Sequence, residues 1–408
     1  MKKFESGFLH VVAFDVPYPS DYGGVIDIFH KIRILNTLGY KIILHCYHYG
    51  RPESPELNDV CHSVFYYKRK TYKNPFYGKV PYIVSTRNSG ELLKNLQKDE
   101  HPILFEGLHT TFFLKHESLQ NRVKIVRNHN IEHDYYKNLE SVEDNFFKKY
   151  FFRVEAERLK TYEKVYKSAG AVLSISPKDH ETLNKRYHNS HFISAFHPND
   201  EMNCKTGKGE FLFYHGNLSV GENNHAALFL VNEVFSKINY PVIIAGNNPS
   251  AQLRQACLQY NHISLNEDWN NEQILDHIQK AQINVLPTFQ ATGIKLKLLN
   301  ALYLGRHCLV NTPMVANTGL ESLCTIANTA SDFVKEINHL WNLSFKQEQA
   351  DSRVAVLKGD YDNYNNGLKI NSLIKELSLL LKPAPIKPPV PKKKAAGVLS
   401  LFTLLLAH

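Results

Sequence analysis

Short apolar runs alternate with longer amphipathic stretches through most of this chain, and they do so in two successive series. The first series holds "FLHVVAF", "KIILHCYHY", "SVFYYK", "PILFEGL", "VKIVRN" and "AVLSIS". The second begins after about residue 205 with "EFLFYHG", then "PVIIAG", "ISLNE", "INVLP" and "CLVNT". Apolar runs of this kind belong to strands covered on both faces, and the helices between them supply the crossovers of parallel sheets. Each series opens on a strand followed by a glycine-bearing turn and a helix. The expected fold is therefore α/β, with two Rossmann-like, doubly wound domains. A length of 408 residues accommodates them, at about 150 residues per domain. The expected boundaries are 1–197 for the first domain, 198–345 for the second, 346–382 for C-terminal helices, and 383–408 for a Pro/Lys-rich linker with a short apolar tail.

An apolar content of 43% supports large cores. The N-terminal run is interrupted by Glu5 and Asp15, so it reads as a strand and not as a secretion signal. No window reaches the roughly 18 to 20 apolar residues of a membrane-spanning helix. Six scattered cysteines without a CxxC pair fit a reducing cytoplasm. The formal charge of +9 is compatible with an anionic partner without choosing one.

Ligands of open parallel sheets bind beyond the carboxyl ends of the strands, and the polar clusters of this chain stand there. "PYPSDYGGVIDIFHK" puts Gly23 and Gly24 at the start of the first helix. "PILFEGLHTTFF" puts Glu106 and His109 just past a strand, and "KIVRNHNIEHDYY" does the same for Arg127, His129, Asn130, Glu132 and His133. The two histidines of "HNIEH" do not form an HExxH site, and Asp360-x-Asp362 falls beyond the last expected strand, so no metal site is expected. In the second series Gly216, Asn217, Leu218 and Gly246 occupy the corresponding strand ends. "TGIKLKLLNALYLG" then opens a helix with Thr292 as N-cap, Gly293 and Ile294 in the turn, and Lys295 and Lys297 in the first turns. Cations there oppose the helix dipole by a few tenths to about 1 kcal/mol, and a bound diphosphate reverses that sign. Asn300 shares a face with Lys297. A long helix is expected from Ser141 as N-cap, its Phe146 to Phe152 segment reading as a core-facing stripe with solvated lysines, with a membrane-surface patch of aromatic and basic residues as the alternative.

Taken together, "GGVIDIFHKIRILNTLGYKIILH", "EGLHT", "RNHNIEHDYY", "SISPKD", "YHGNLSVGENN", "IIAGNNP" and "TGIKLKLLNALYLGRHCLVNT" resemble the GT-B-fold glycosyltransferases of the family-4-like, retaining group. The resemblance covers about residues 8 to 382. It implies two domains facing across a cleft, with C-terminal helices crossing back to the first. It implies a nucleotide-activated sugar on the second domain and a glycan or lipid-linked acceptor on the first, with no cofactor, no metal and no nucleic acid. By this resemblance His109 and His129 are the catalytic candidates. Gly23, Gly24, Gly216, Asn217, Leu218, Gly246, Thr292, Gly293, Ile294, Lys295, Lys297 and Asn300 serve the donor. Glu106, Arg127, Asn130 and Glu132 lie on the acceptor side. A cytoplasmic location with peripheral contact to the inner membrane face is implied as well. The chain departs from the family at Thr292 and Asn300, where members carry glutamates, the second of them binding ribose hydroxyls. Two other functions remain open: a GT-B-like sugar-nucleotide epimerase, using Glu106, Glu132 or Asp134, and a non-catalytic sugar-nucleotide-binding protein.

Overall fold

The computed structural model describes residues 7–289 and 296–381. Seven parallel strands form the first sheet: β1 (Phe8–Ala13), β2 (Lys41–His48), β3 (Ser63–Lys68), β4 (Ile103–Glu106), β5 (Lys124–Asn128), β6 (Ala171–Ser174) and β7 (Ser190–Phe192), in the order β3-β2-β1-β4-β5-β6-β7. Six parallel strands form the second: β8 (Leu212–His215), β9 (Val242–Ala245), β10 (Ile263–Asn266), β11 (Ile283–Leu286), β12 (His307–Val310) and β13 (Thr325–Ile326), ordered β10-β9-β8-β11-β12-β13. The strand order reverses between β1 and β4, and again between β8 and β11. Each reversal opens a crevice at the carboxyl ends.

The missing polar alternation in the apolar runs has a direct cause. Leu9, Val11 and Leu44 pack with Ile28, Ile32 and Leu35 of the Gly23–Thr37 helix on one face of the first sheet. Val12, Phe105, Val126 and Val172 pack on the other face. Each fully buried Leu, Ile or Phe contributes about 1.5–3 kcal/mol. The two unanticipated strands, β7 and β13, are short edge strands without a long apolar run.

The expected long helix is divided. One helix spans Glu132–Val142 and a second spans Phe146–Tyr162. Asn145 caps the second, its Oδ1 accepting from the amides of Phe147 and Lys148 at 3.1 Å each. Ser141 is not a cap. Its hydroxyl donates to the Asn138 carbonyl within the preceding helix.

After Phe345, the Gln347–Asp360 helix stays on the second domain, where Arg353 donates to the carbonyls of Leu302 and Gly305 at 3.2 and 2.6 Å. The crossing back is made by the Asn363–Leu381 helix. Its Ile370, Leu373 and Ile374 join the first-domain core, and Asn371 accepts from the Tyr40 hydroxyl at 2.9 Å. Asn363, at the start of that helix, accepts from the His197 amide at 3.1 Å and donates to its carbonyl at 2.7 Å. Among the described residues, no helix is long and apolar enough to cross a membrane. The 383–408 tail lies outside the described residues.

Candidate functional site

The first crevice begins where β1 ends at Ala13 and the loop leads into the Gly23–Thr37 helix. That helix has neither a side-chain N-cap nor an acid in its first turn, so its amino end carries uncompensated partial positive charge. A methyl group added at Gly23 would lie 3.8 Å from Leu296 of the second domain, so the two domains meet at this point.

Behind it stands a buried ionic cluster. Asp27 receives Lys31 at 2.8 Å and two nitrogens of Arg127 at 2.8 and 3.0 Å. Glu106 receives Lys31 at 3.0 Å and faces His129 Nε2 at 3.3 Å. Burial alone would push Asp27 up, but Arg127 and Lys31 outweigh it and hold the carboxyl well below its usual range. Glu106 and Arg127, expected to face the acceptor, are fully buried, and Arg127 also donates to the carbonyls of Ile193 and Ser194. These contacts tie the ends of β4 and β5 to the Gly23–Thr37 helix and to the segment after β7. Asp27, Glu106 and His129 bring ligand atoms within 4.8 Å of one another. The Lys31 ammonium and the Arg127 guanidinium already neutralise that set, so these residues do not fit a metal ion.

His109 is the more open of the two histidines, its side chain 21% exposed against 10% for His129. Gly107 precedes it at φ +72°, a left-handed turn that brings His109 back over the strand end. The ring packs 5.2 Å from that of Phe14, and Nδ1 lies 3.9 Å from Glu132. Burial, with the charge of Arg87, holds the imidazole well below its usual range, so it is neutral at pH 7. Burial pushes Glu132 up to about 8, so it is protonated there and can donate a hydrogen bond. Asn130 is half-buried at the same edge.

In the second crevice β8 runs into Gly216, Asn217 and Leu218 ahead of the Gly221–Phe229 helix. The Gly216 amide is committed to the Ala245 carbonyl at 3.1 Å, which leaves Asn217 and Leu218 to offer backbone donors. Gly246 is required for close approach, because a Cβ there would fall 1.9 Å from the Gly216 carbonyl oxygen. Lys297 donates to Asn223 at 3.1 Å and lies 5.5 Å from the Tyr214 ring centroid, so its ammonium stands beside this turn. Glu222, in the first turn of the helix, accepts from the Thr288 hydroxyl. His215 is pushed down to about 3, by burial and then by Lys297. Asn300, expected at a ribose, has its carbonyl oxygen occupied by the Asn199 amide at 2.8 Å, which ties it to the segment between the domains. Thr292, Gly293, Ile294 and Lys295 lie outside the described residues.

No family model matches the chain. An uncharacterized 44.6 kDa protein in the cps region of Klebsiella pneumoniae is 26% identical over 386 residues, covering 86% of this chain and 96% of that one. Sucrose-phosphate synthase of Thermosynechococcus elongatus superposes with a TM-score of 0.62 at 14% identity, over 92% of this chain and all of that one. This is the GT-B fold. A trehalose-6-phosphate structure from E. coli, bound with UDP-2-fluoro glucose, shares it at a TM-score of 0.59 and 10% identity, over 90% of this chain and 99% of that one. MurG of Acinetobacter baumannii does so at 0.51 and 11%, over 91% and 100%.

Within this GT-B chain, strand-end and helix-start reasoning points to His109, Glu132, Gly246 and Lys297, but it passes over Asp27, Lys31, Phe14 and Arg87. For Asp27 and Lys31 a signal existed. They stand four apart in a helix whose Ile28 and Ile32 adjoin them and read as core, where an unpaired charge would be costly.

Proposed function

We propose that the protein transfers a sugar from a nucleotide-activated donor to a glycan or lipid-linked acceptor. The observation that carries this reading is the Lys297 ammonium beside the Asn217–Leu218 turn, at the second strand-order reversal and next to a helix start. A diphosphate leaving group needs that combination of fixed dipoles and cation. The ends of the first-domain strands, with His109 and its protonated neighbour Glu132, face the same crevice and suit the sugar and its acceptor. We assign retention of configuration by front-face attack, the departing phosphate taking the acceptor's proton. This route needs neither a catalytic carboxylate pair nor a metal. The relative encoded in a cps region supports an acceptor in surface-polysaccharide assembly.

Peripheral contact with the cytoplasmic membrane face fits as well. Tyr72, Tyr77 and Phe147 are 84%, 85% and 79% exposed, and Phe76 joins the two segments by packing 5.5 Å from Tyr150. Lys148 and Lys149 flank these rings, as in interfacial anchors.

Lys297→Ala is expected to weaken nucleoside diphosphate binding at least about tenfold, the loss of one charge-assisted contact, with an unchanged melting temperature. Titration calorimetry with a panel of nucleoside diphosphates reads this out. Wild-type affinity in the variant would refute the phosphate assignment.

A further inference from the structure

The crevice of the first domain contains two guanidinium groups, those of Arg87 and Arg69, that form no ion pair among the described residues. Arg87 is only 6% exposed. Its Nη1 donates to the Ile83 carbonyl at 2.6 Å and its Nε to the Phe14 carbonyl at 3.2 Å. Among the described residues no carboxylate comes within 4.0 Å of it, and Nη2 has no partner. Arg69 is close enough to repel it. Arg69 donates through Nε to the Thr86 hydroxyl at 3.0 Å, and its guanidinium lies over the rings of Tyr49 and Tyr82, at 5.4 and 5.7 Å. It too has no ion pair among the described residues.

The acids around this pair are otherwise engaged. Glu132 is kept protonated at neutral pH by burial. Glu155 accepts from the Ile83 amide at 2.9 Å, and burial raises its pKa also. Asp15 accepts from the Tyr22 hydroxyl and the Val16 amide. A buried guanidinium left without a counter-ion is costly, so a fold that keeps one at a ligand crevice has an anion to meet it. The carbonyl that Arg87 caps belongs to Phe14, whose ring packs against His109. The unused Nη2 of Arg87 therefore belongs to the same strand-end cluster as the imidazole expected at the transferred sugar, on which the Arg87 charge acts.

We infer that Arg87 and Arg69 form an acceptor subsite for an oxyanion, so that the acceptor carries a carboxylate or a phosphate ester close to the hydroxyl that receives the sugar. The inference rests on the proposed glycosyl transfer, which places the acceptor in the first domain. The fork of Arg87 suits the planar edge that either oxyanion presents, and the tyrosine rings of Arg69 pre-orient its charge.

The test uses the full chain, held with a saturating nucleoside diphosphate, in calorimetric titrations with glucose, glucuronate and glucose 6-phosphate at constant salt. At least one anionic sugar is expected to bind about tenfold more tightly than glucose, a ratio suited to one charge-assisted contact. Preference for glucuronate identifies a carboxylate source, and preference for glucose 6-phosphate a phosphate source. Arg69→Gln, which removes no backbone contact, is expected to abolish most of that preference and to leave nucleoside diphosphate affinity as it was. Arg87→Lys keeps the charge without the fork and is expected to retain part of it. Anionic sugars binding no better than glucose, in protein that binds the nucleoside diphosphate, would overturn the subsite and leave glycosyl transfer standing. No nucleoside diphosphate binding at all would overturn glycosyl transfer itself, and the acceptor assignment with it.

Discussion

Lys31 is an ammonium sealed between Asp27 and Glu106, and its removal would strand Glu106 in the protein interior. Lys31→Met is expected to cost about 3–5 kcal/mol, the range for breaking a buried pair. Glu106→Gln added to it is expected to recover part of that loss, because the orphaned charge is gone. Urea midpoints of the single and double variants check both expectations. Glu132 gives a second expectation, this one in pH. Its folded pKa of about 8 lies above the ordinary 4.5, so the stability it contributes is complete below 4.5 and is lost as pH rises through 8. Glu132→Gln should flatten that part of the stability profile between pH 5 and 9. An unaltered slope would mean that the carboxyl ionises normally. The places of single residues were legible in the sequence where a strand or helix end fixes them, as for His109 and Lys297. Glu106, Arg127 and Asn300 were not, because their partners are supplied by tertiary contacts. Asp27 reaches Arg127 across 100 positions, and Asn199 reaches Asn300 across 101.

For strands and helices the sequence was a better guide. Eleven of the strands were readable from apolar runs, because burial on both faces leaves an uninterrupted hydrophobic signature. β7 and β13 escaped notice because an edge strand of two or three residues needs no such run. The divided helix escaped for another reason. Ser141 and Asn145 are both acceptable caps, and only the chain geometry at 143–145 selects the second. Asn145→Ala is therefore expected to destabilise the protein by about 1 kcal/mol and Ser141→Ala by much less. Thermal melts of the two variants compare them, and an equal effect would contradict the assigned helix start.

Over the whole molecule, the doubly wound pair of sheets was legible, and the resemblance implied the helical crossing back, but the bonds by which Asn363 ties the two connecting segments together were not. The same limit applies to the aromatic surface. The sequence favoured a core-facing stripe for Phe146 to Phe152, whereas the folded chain exposes Phe146, Phe147 and Tyr150 and adds Tyr72, Phe76 and Tyr77 from a distant loop. Phe147→Ser together with Tyr77→Ser is expected to reduce cosedimentation with vesicles containing anionic lipid several-fold, and the Lys148 and Lys149 charges make that binding salt-sensitive. Undiminished cosedimentation would remove this surface from the membrane contact. The domains are joined by two segments of chain, and Asn363 bonds them side by side at His197. Two adjoining straps would act as a door hinge and not as a swivel, leaving one easy rotation and resisting twist. Asn300 touches this seam through Asn199, so the Leu296–Leu304 helix sits near the pin, where a closing rotation would displace least. On the proposed glycosyl transfer, a nucleotide held there would stay seated while the first domain swings across to it.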